Sequence, residues 1–383
     1  MNKTYEILTI GAGINGLATC YHLSKLGIQN IGLIERFDHG HDRASSHGQS
    51  RITRSAYINE HYVRLMQVAH NEAWPQLEKD ADTQLIYPTP GCFFGPQGGK
   101  YTHYEKAVTS VGVDVEPLTP QEARKRFPAF RFENAAGALH DRTAGLVAAA
   151  KTMQSLSKIV QQSNIDVHTN TEVLEIDPTQ SPIKVTTNKG TCFAERLIVT
   201  AGPWVANLIP QIKTRVSVAR QTVGYFKLTG PSEHYQVGTF PVWGYLLNKG
   251  DVSYYGLPEF GREGIKLAHH VITPEDDDPD DIPTKTPEEA IEGLRHFIEE
   301  QFTAPIERFV DWETCLYTNT SNEDFIIDHH PDNSNIVIGA GFSGHGFKLG
   351  PLTGRILAEL ALNSKTSLPE FENAKHLFSF QKP

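Results

Sequence analysis

The sequence lacks a hydrophobic run that approaches the roughly 20 apolar residues needed to cross a bilayer. Its first apolar run, Ile7 to Ile10, is short and continues straight into a glycine motif, so it indicates a core strand and not a secretory signal. The chain also lacks a basic excess, because its formal net charge is −10. General nucleic-acid binding requires a basic footprint. We therefore expect neither a membrane span nor a nucleic-acid partner.

Cysteine is scarce and shows no metal-binding spacing. The four cysteines are dispersed, no C-x-x-C occurs, and the 17 histidines include no H-E-x-x-H. This pattern is typical of free thiols in a reducing compartment and predicts no structural metal. The last three residues, 381–383, do not match a peroxisomal signal, so the expected location is the cytoplasm.

The chain has 383 residues, which is enough for two domains. Residues 5–36 show the pattern strand, helix, strand, with the helix between Asn15 and Leu26. Such a unit predicts a parallel sheet with a right-handed crossover. Several aromatic-rich strands in 215–270 indicate a second region that contains a sheet.

Other periodic segments predict further elements. Helices are expected over 60–79 and 146–163, from Thr286 onward, and from the last glycine turn to about Leu362. The helix after Thr286 should bury the face formed by Ile291, Leu294, Phe297 and Ile298. Residues 85–150 show only turns and short apolar runs. Strands are predicted at Thr171–Ile176, Ile183–Thr187, Arg196–Thr200 and Asn335–Ile338.

A dinucleotide-binding motif follows the first strand. Gly11-Ala-Gly13-Ile-Asn-Gly16 is G-x-G-x-x-G; it opens a helix, and the next strand ends in Glu35. Gly11 permits the tight turn, Gly13 lets the backbone approach a pyrophosphate, and Gly16 lets the helix pack on the strand. The helix N-terminus favours the phosphates, and Glu35 can accept hydrogen bonds from ribose hydroxyls.

The motif alone does not distinguish NAD from FAD. Its position near the N-terminus favours FAD, and so do two later strand ends that run into glycine turns. One is Leu197 to Trp204, which contains Gly202, and the other is Gly339 to Gly346, which contains Gly344. A long cofactor contacted at both ends would explain the two turns, and a helix N-terminus near its redox-active ring would stabilise negative charge.

Three segments carry a family resemblance: Ser46-His-Gly-Gln-Ser-Arg-Ile-Thr-Arg54, Tyr255 to His270, and Thr314 to Lys348. In these segments the chain resembles the monomeric sarcosine oxidase and N-methyltryptophan oxidase family, which has the glycine and D-amino acid oxidase fold. The resemblance covers essentially the whole chain. It implies an α/β fold in which a Rossmann-type FAD-binding domain (1–85, 146–215 and 320–383) is interleaved with a mixed-sheet substrate domain (86–145 and 216–319).

The resemblance also implies how FAD is held. The family binds FAD through a thioether to a cysteine in a T-C-x-Y segment, which here is Cys315. From the residues alone, Cys315 is more simply a small buried apolar side chain. The other residues assigned to the cofactor are Gly11, Gly13, Gly16, Glu35, Arg36, His47, Arg51, Val173, Gly202, Gly344, Gly346 and Lys348.

The family's catalytic and substrate-binding roles transfer to seven positions. The residue matching Arg51 lies against the flavin, and those matching Arg54 and Lys348 bind the substrate carboxylate, for which charged donors are suited. Lys266 matches the lysine that promotes oxygen reduction, because a fixed positive charge stabilises developing superoxide. The side chains expected to line the substrate cavity are Tyr255, His270 and Tyr317.

Departures from the family pattern leave the size of the substrate open. Ser46 and Gln49 replace a usual histidine and acidic residue, and 58–60 replaces a small Gly-Glu-Gly loop at the substrate entrance. Trp243 and Tyr245 are expected to narrow or reshape the pocket.

The predicted reaction is oxidation of the C–N bond of a small secondary or N-methyl amino acid to an imine, with oxygen reduced to hydrogen peroxide by a monomeric enzyme. The substrate could be sarcosine, a bulkier N-methyl amino acid, or a cyclic imino acid such as L-pipecolate or L-proline. Two other classes remain open: a flavin dehydrogenase that uses a different electron acceptor, and a non-enzymatic nucleotide-binding module.

Overall fold

The computed structural model describes residues 2–247, 252–271, 277–281 and 283–380. Residues 381–383, on which the expected location rests, lie outside these ranges. The strands are β1 (Thr4–Ile10), β2 (Ile31–Ile34), β3 (Ser50–Thr53), β4 (Ile86–Pro88), β5 (Gly91–Pro96), β6 (Val115–Leu118), β7 (Ala135–Asp141), β8 (Gly145–Ala148), β9 (Ile165–His168), β10 (Val173–Asp177), β11 (Ile183–Thr187), β12 (Gly190–Val199), β13 (Ser217–Leu228), β14 (Val242–Tyr245), β15 (Val252–Leu257), β16 (Ile265–Val271), β17 (Ile306–Asn319), β18 (Ile326–His330) and β19 (Asn333–Ala340). The α-helices are α1 (Ile14–Lys25), α2 (Glu60–Val68), α3 (Trp74–Ala81), α4 (Lys100–Val111), α5 (Pro120–Arg126), α6 (Ala149–Gln162), α7 (Val205–Leu208), α8 (Glu288–Gln301), α9 (Gly350–Asn363) and α10 (Pro369–Glu372). Within these ranges, no helix is both long and apolar enough to cross a bilayer.

The first large sheet contains the predicted strand-helix-strand unit. Its main path runs β10-β11-β12-β1-β2-β9, and β19 pairs with β12 and with β18. The four pairings β12–β1, β1–β2, β2–β9 and β12–β19 are parallel. The predicted parallel sheet is therefore confirmed, and the carboxyl ends of β1, β12 and β19 lie at one edge, where ligands of open α/β sheets bind.

The second large sheet runs β17-β13-β16-β15-β14-β5-β7-β6. It is antiparallel apart from the β14–β5 pairing, which is parallel, so it is a mixed sheet as expected. Helix α8 packs on it through Ile291, Leu294, Phe297 and Ile298, the predicted buried face. A small third sheet, β3-β8-β4, lies beside them and carries Arg51. The predicted boundaries between two domains stay a prediction.

The helix predicted over 60–79 is divided into three helical segments. A π-helical turn, Ala69–Ala73, separates α2 from α3. Pro75 lies in the first turn of α3. Proline lacks an N–H and its ring clashes with the carbonyl four residues earlier, and a wider turn before it accommodates both effects.

Two helices within 85–150 were not predicted. Helix α4 follows Gly99 and ends before Gly112, which has a φ of 74°. Helix α5 begins with a complete capping box between Thr119 and Glu122, with Pro120 in the first turn. The T-P-x-E spacing and the flanking glycines were the sequence signals for these two helices.

The expectation that Trp243 and Tyr245 shape the substrate pocket is wrong. The indole of Trp243 is fully buried in an aromatic core and stacks on Phe297 with ring centroids 5.6 Å apart. Tyr245 contacts the same ring at 5.4 Å. Both side chains therefore face α8, on the side of the second sheet that α8 covers.

Candidate active site

The glycine motif forms a tight turn between β1 and α1. Gly11 has a φ of 93°, which L side chains rarely adopt. A Cβ at Gly16 would lie 1.8 Å from the carbonyl oxygen of Gly11, so only glycine lets the helix approach the turn this closely. The hydroxyl of Ser46 accepts a hydrogen bond from the N–H of Ile14, at 3.1 Å, in the first turn of α1. Ser46, a departure from the family pattern, thus contacts the predicted phosphate-binding end of the helix.

Glu35 directly follows β2 beside this turn and is buried. Its carboxylate accepts hydrogen bonds from the N–H of Ala12 at 2.7 Å and of Phe37 at 2.9 Å. Burial raises the pKa of Glu35, but His41 and these two N–H groups lower it below its usual range, so the group is anionic. Arg36, the next residue, forms a two-point ion pair with Asp280 from the second-sheet region.

A large cavity extends from this turn between the two large sheets. Its volume is about 1090 Å³, which exceeds the roughly 300–1,000 Å³ of a typical small-molecule site and suits a dinucleotide. Eleven of the predicted site residues line it: Gly11, Gly13, Glu35, Arg36, His47, Arg51, Val173, Gly202, Tyr317, Gly344 and Gly346.

His47 and Arg51 border the middle of the cavity. The Nε2 of His47 lies 2.8 Å from the carbonyl oxygen of Thr314, which places this ring beside the segment that contains Cys315. The Nδ1 atom of His47 is buried and has no hydrogen-bond partner among the described residues. Arg51 donates to the carbonyl oxygens of Ser45 and His47. A polar cofactor in the cavity fits these groups, since it would offer the orphaned nitrogen a partner.

The second glycine turn closes the far end of the cavity. Gly344 has a φ of 73°, and a Cβ there would lie 2.2 Å from the ring of Tyr317. Glycine is therefore required for the turn to contact that tyrosine. Lys348 was expected at the start of the last helix; it lies instead in a 3₁₀ turn, Phe347–Leu349, directly before α9.

Cys315 lies on β17. Burial raises the pKa of its thiol, and the nearby positive charges of Arg51 and Lys266 reduce this increase. Lys266, on β16, is 4% exposed. Its Nζ lies 3.0 Å from a carboxylate oxygen of Glu313. A Cβ at Gly48, in the cavity lining, would lie 3.2 Å from Arg51 and 3.7 Å from Lys266. Lys266 is thus a buried cation beside the cavity and not a solvent-facing strand residue.

Arg54 and Lys348 both lie against one tyrosine, Tyr57. The guanidinium of Arg54 lies over the ring of Tyr57, 4.3 Å from its centroid, and Lys348 Nζ donates to the hydroxyl of Tyr57 at 3.3 Å. Lys348 is buried, and Nη1 of Arg54 is inaccessible and without a hydrogen-bond partner. Across the described ranges, neither cation has a carboxylate within 4.0 Å. Burial, Arg54 and Arg51 hold the pKa of Lys348 well below its usual range.

Tyr317, in the cavity lining, contacts two other aromatic residues assigned to the substrate site. The hydroxyls of Tyr255 and Tyr317 are 2.9 Å apart, and His270 lies beside Tyr317 with ring centroids 5.3 Å apart. The imidazole of His270 is 3.6 Å from a carboxylate oxygen of Glu323. The three residues predicted to line the substrate cavity are therefore neighbours, and their role stays a prediction.

Three residues of this region were not predicted: Tyr57, Glu313 and Glu323. Tyr57 directly precedes the variable loop 58–60, and nothing in the sequence indicates that two distant cations share it. Glu313 precedes Cys315 by two positions on a strand, so alternation could have placed both on one face. Glu323 has a φ of 62°, and its position in a tight turn gives no sequence signal.

The comparisons with known proteins agree with this geometry. The model of the DAO family, described as FAD dependent oxidoreductase, matches residues 6–360. Peroxisomal sarcosine oxidase of Mus musculus is 36% identical over 364 residues, which cover 94% of this chain and 92% of that protein. Monomeric sarcosine oxidase of Bacillus sp. is 32% identical over 391 residues, which cover 100% of this chain and 97% of that protein. N-methyl-L-tryptophan oxidase of Yersinia pestis is 27% identical, over 93% of this chain and 95% of that protein.

Solved structures show the same fold at lower identity. NikD, an amino acid oxidase of nikkomycin biosynthesis, superposes with a TM-score of 0.82 at 21% identity, over 99% of this chain and 98% of that chain. Glycine oxidase from Geobacillus kaustophilus superposes with a TM-score of 0.76 at 18% identity, over 99% of both chains. With the glycine turn, the cavity and the buried cations, these matches show that the chain belongs to the FAD-dependent oxidoreductase (DAO) family, within its group of sarcosine and N-methyl amino acid oxidases.

Proposed function

We propose that this enzyme oxidises the C–N bond of a small secondary or N-methyl amino acid to an imine, with oxygen reduced to hydrogen peroxide. The observation that carries the proposal is the pair of cations, Arg54 and Lys348, that share Tyr57 and have no described carboxylate partner within 4.0 Å. Buried cations are costly unless they are paired. A substrate carboxylate between them would supply the missing charge.

The position of the cation pair orients the substrate. A guanidinium and an ammonium can each donate hydrogen bonds to one carboxylate, which fixes the amino acid by its acid group. Tyr317 lines the cofactor cavity and its hydroxyl contacts that of Tyr255, and we expect the amine nitrogen and its carbons to lie beside these two hydroxyls. Fixing both ends of a small molecule lowers the entropic part of the barrier.

FAD fits the cavity through Gly11, Gly13 and Glu35 at one end and Gly344 and Gly346 at the other. Bound FAD would supply the two-electron acceptor for a hydride equivalent from the carbon next to nitrogen, and oxygen would accept the two electrons and, with two protons, become hydrogen peroxide. Arg51 and Lys266 place positive charge at the middle of the cavity, where they would stabilise negative charge on reduced oxygen.

No side chain is needed as a general base if the amine binds uncharged. His345, the imidazole closest to the cation pair, is neutral across the working range, because burial and Lys348 lower its pKa to about 3. Its Nδ1 lies 3.1 Å from the hydroxyl of Tyr57. Because the ring is neutral, it does not compete with Arg54 and Lys348 for the substrate carboxylate as a third cation would. The imine product then hydrolyses in water.

The covalent link through Cys315 is also part of the proposal. His47 Nε2 lies 2.8 Å from the carbonyl oxygen of Thr314, and Arg51 and Lys266 counteract the rise in the thiol pKa caused by burial. These cations favour the thiolate, which is the nucleophilic form. Acid precipitation of the purified protein tests the link: a yellow pellet over a colourless supernatant is expected, and Cys315→Ala should release the flavin into the supernatant. Yellow supernatant from the wild-type protein would remove the tether from the proposal.

A substrate panel tests the reaction itself. Sarcosine, N-methyl-L-tryptophan, L-pipecolate and L-proline should be compared for flavin reduction without oxygen and for peroxide release with oxygen. Reduction followed by rapid peroxide release supports the oxidase. Reduction with slow reoxidation in oxygen would favour a dehydrogenase with another acceptor, and absence of reduction by every amino acid would contradict the proposal.

A further inference from the structure

Lys266 has a single close anionic partner among the described residues. Its Nζ lies 3.0 Å from Oε1 of Glu313 and donates to the carbonyl oxygen of Ser50 at 3.3 Å. The lysine side chain is 5% exposed, whereas that of Glu313 is 19% exposed and lines the cavity. Glu313 therefore pairs with a buried ammonium group and also contacts the cofactor space.

Glu313 is itself held in place. The hydroxyl of Tyr225 donates to its Oε1 at 2.7 Å. Val223 of β13 pairs in register with Glu313 of β17. The pairing of these two strands therefore positions the side chains of Tyr225 and Glu313. Burial raises the pKa of Glu313, but Lys266 and Tyr225 lower it to about 2, so the carboxylate is ionised wherever the protein is folded and active.

The other titratable and charged groups near the pair formed by Lys266 and Glu313 come from every neighbouring element. They are His47 and Arg51 from the segment that includes β3, Tyr225 of β13, Tyr255 of β15, Arg262 of the connection to β16, and Cys315 of β17. Arg51 repels the ammonium form of Lys266, and burial disfavours it further. Glu313 is the group that opposes both effects at short range.

We infer that Glu313 is a positioning residue that keeps Lys266 protonated and directed at the cofactor cavity, and that it thereby sets the upper pH limit of oxygen reduction. The inference rests on the proposed role of Lys266 in oxygen reduction. Without Glu313, the lysine would be a buried cation beside Arg51 with no carboxylate, and its neutral form would be favoured.

The first test measures the rate of flavin reoxidation by oxygen as a function of pH in wild-type protein and Glu313→Gln. The substitution keeps the size of the side chain but removes its charge. The pH at which the rate falls should move down by at least about one unit, so that on the alkaline side the variant reoxidises about tenfold more slowly. Glu313→Asp, which keeps the charge, should recover part of this shift.

Asp311→Asn is the matched control. Asp311 lies two residues earlier on β17 and is 3.5 Å from Arg262, which in turn is 3.8 Å from Glu313, but it does not contact Lys266. Asp311→Asn removes one negative charge from the same strand as Glu313→Gln does, and it should leave the pH profile of reoxidation unchanged. An equal shift in Asp311→Asn and Glu313→Gln would overturn the specific role of Glu313.

A second readout separates this inference from the proposed function. Protein labelled with ¹³C at lysine Cε reports the protonation of Lys266 by NMR, and Lys266→Met identifies the signal. The Lys266 titration should move to lower pH in Glu313→Gln. It should move less in Tyr225→Phe, which removes the hydrogen bond to the Glu313 carboxylate but leaves its charge. An unmoved titration overturns the inference even if reoxidation changes. If the Lys266 titration moves in Glu313→Gln but the wild-type flavin is reoxidised slowly by oxygen, the inference stands and the oxygen reduction in the proposed function is contradicted.

Discussion

Arg54 and Lys348 repel each other, and burial makes this repulsion costly because the protein interior screens charge less than water does. The pair nevertheless lies within contact of one tyrosine, Tyr57, whose ring and hydroxyl each face one of the cations. The arrangement is stabilised most by an anion that reaches both groups. A carboxylate on the substrate meets this requirement, and so would a competing small carboxylate.

Replacing either cation should weaken the binding of carboxylate ligands more than it affects folding. A hydrogen bond to a charged group contributes about 1.5–3 kcal/mol, so Arg54→Met or Lys348→Met should raise the dissociation constant of a carboxylate inhibitor by a factor of about 10 to 150. Titration of the flavin absorbance measures this constant. Lys213→Met is the control, because Lys213 is exposed and does not line the cavity. Equal effects of the Lys213 and Lys348 substitutions would contradict the binding of the ligand carboxylate by Lys348.

The pH dependence of kcat/KM should be bell-shaped. Activity should rise with pH as the amine loses its proton, since in the proposed reaction only the uncharged amine is oxidised. It should fall again as Lys348 loses its proton, because burial, Arg54 and Arg51 hold the pKa of this lysine well below its usual range. Lys348→Arg should remove the alkaline limb, since arginine stays charged. A profile that stays flat from neutral to alkaline pH in the wild-type enzyme would contradict this account.

Glycines govern how the helices approach the cavity. Gly16 lets α1 contact the turn after β1, and Gly344 lets the second turn contact Tyr317. The sequence predicted the first element well, because strand, G-x-G-x-x-G and helix are local signals. It predicted 60–79 less well, since Pro75 widens the helix into a π turn, and it missed α5 although the capping box between Thr119 and Glu122 marks its start.

Gly16→Ala should lose cofactor, because its Cβ would lie 1.8 Å from the carbonyl oxygen of Gly11 and force α1 away from the turn. The ratio of flavin to protein absorbance should fall, together with the thermal midpoint. Gly293→Ala is the matched control: Gly293 lies within α8 with open space around it, so alanine should stabilise the protein by about 0.4–1 kcal/mol. Full flavin content in Gly16→Ala would show that the close contact is not required.

The placement of Trp243 was wrong for a reason that lies in side-chain direction. Alternation along β14 indicates that Trp243 and Tyr245 share one face of the sheet, but the sequence does not say which face meets α8 and which meets the cavity. Trp243→Phe should therefore lower the thermal midpoint and leave KM unchanged for each substrate. A changed order of preference among substrates would contradict this placement and indicate that Trp243 shapes the substrate pocket.

At the scale of the whole molecule, the site exists because two sheets from interleaved segments face each other across one cavity. Glu35 and the glycine turns come from the first sheet, and Lys266 and Cys315 come from the second. Their chemical types were predictable from motifs and from the family resemblance. That Tyr57 joins Arg54 to Lys348, and that Glu313 faces Lys266, depends on contacts between distant segments, which one sequence does not show.

The most direct test of the central claim is anaerobic titration of the purified flavoprotein with matched pairs of amines, followed by flavin absorbance. Each pair differs only in the carboxylate: sarcosine and dimethylamine, or L-proline and pyrrolidine. The account predicts that the flavin is reduced by at least one of the amino acids and not by its partner without the carboxylate, and that Lys348→Met narrows this difference. Equal reduction by both members of a pair, or no reduction by any secondary amino acid, would contradict it.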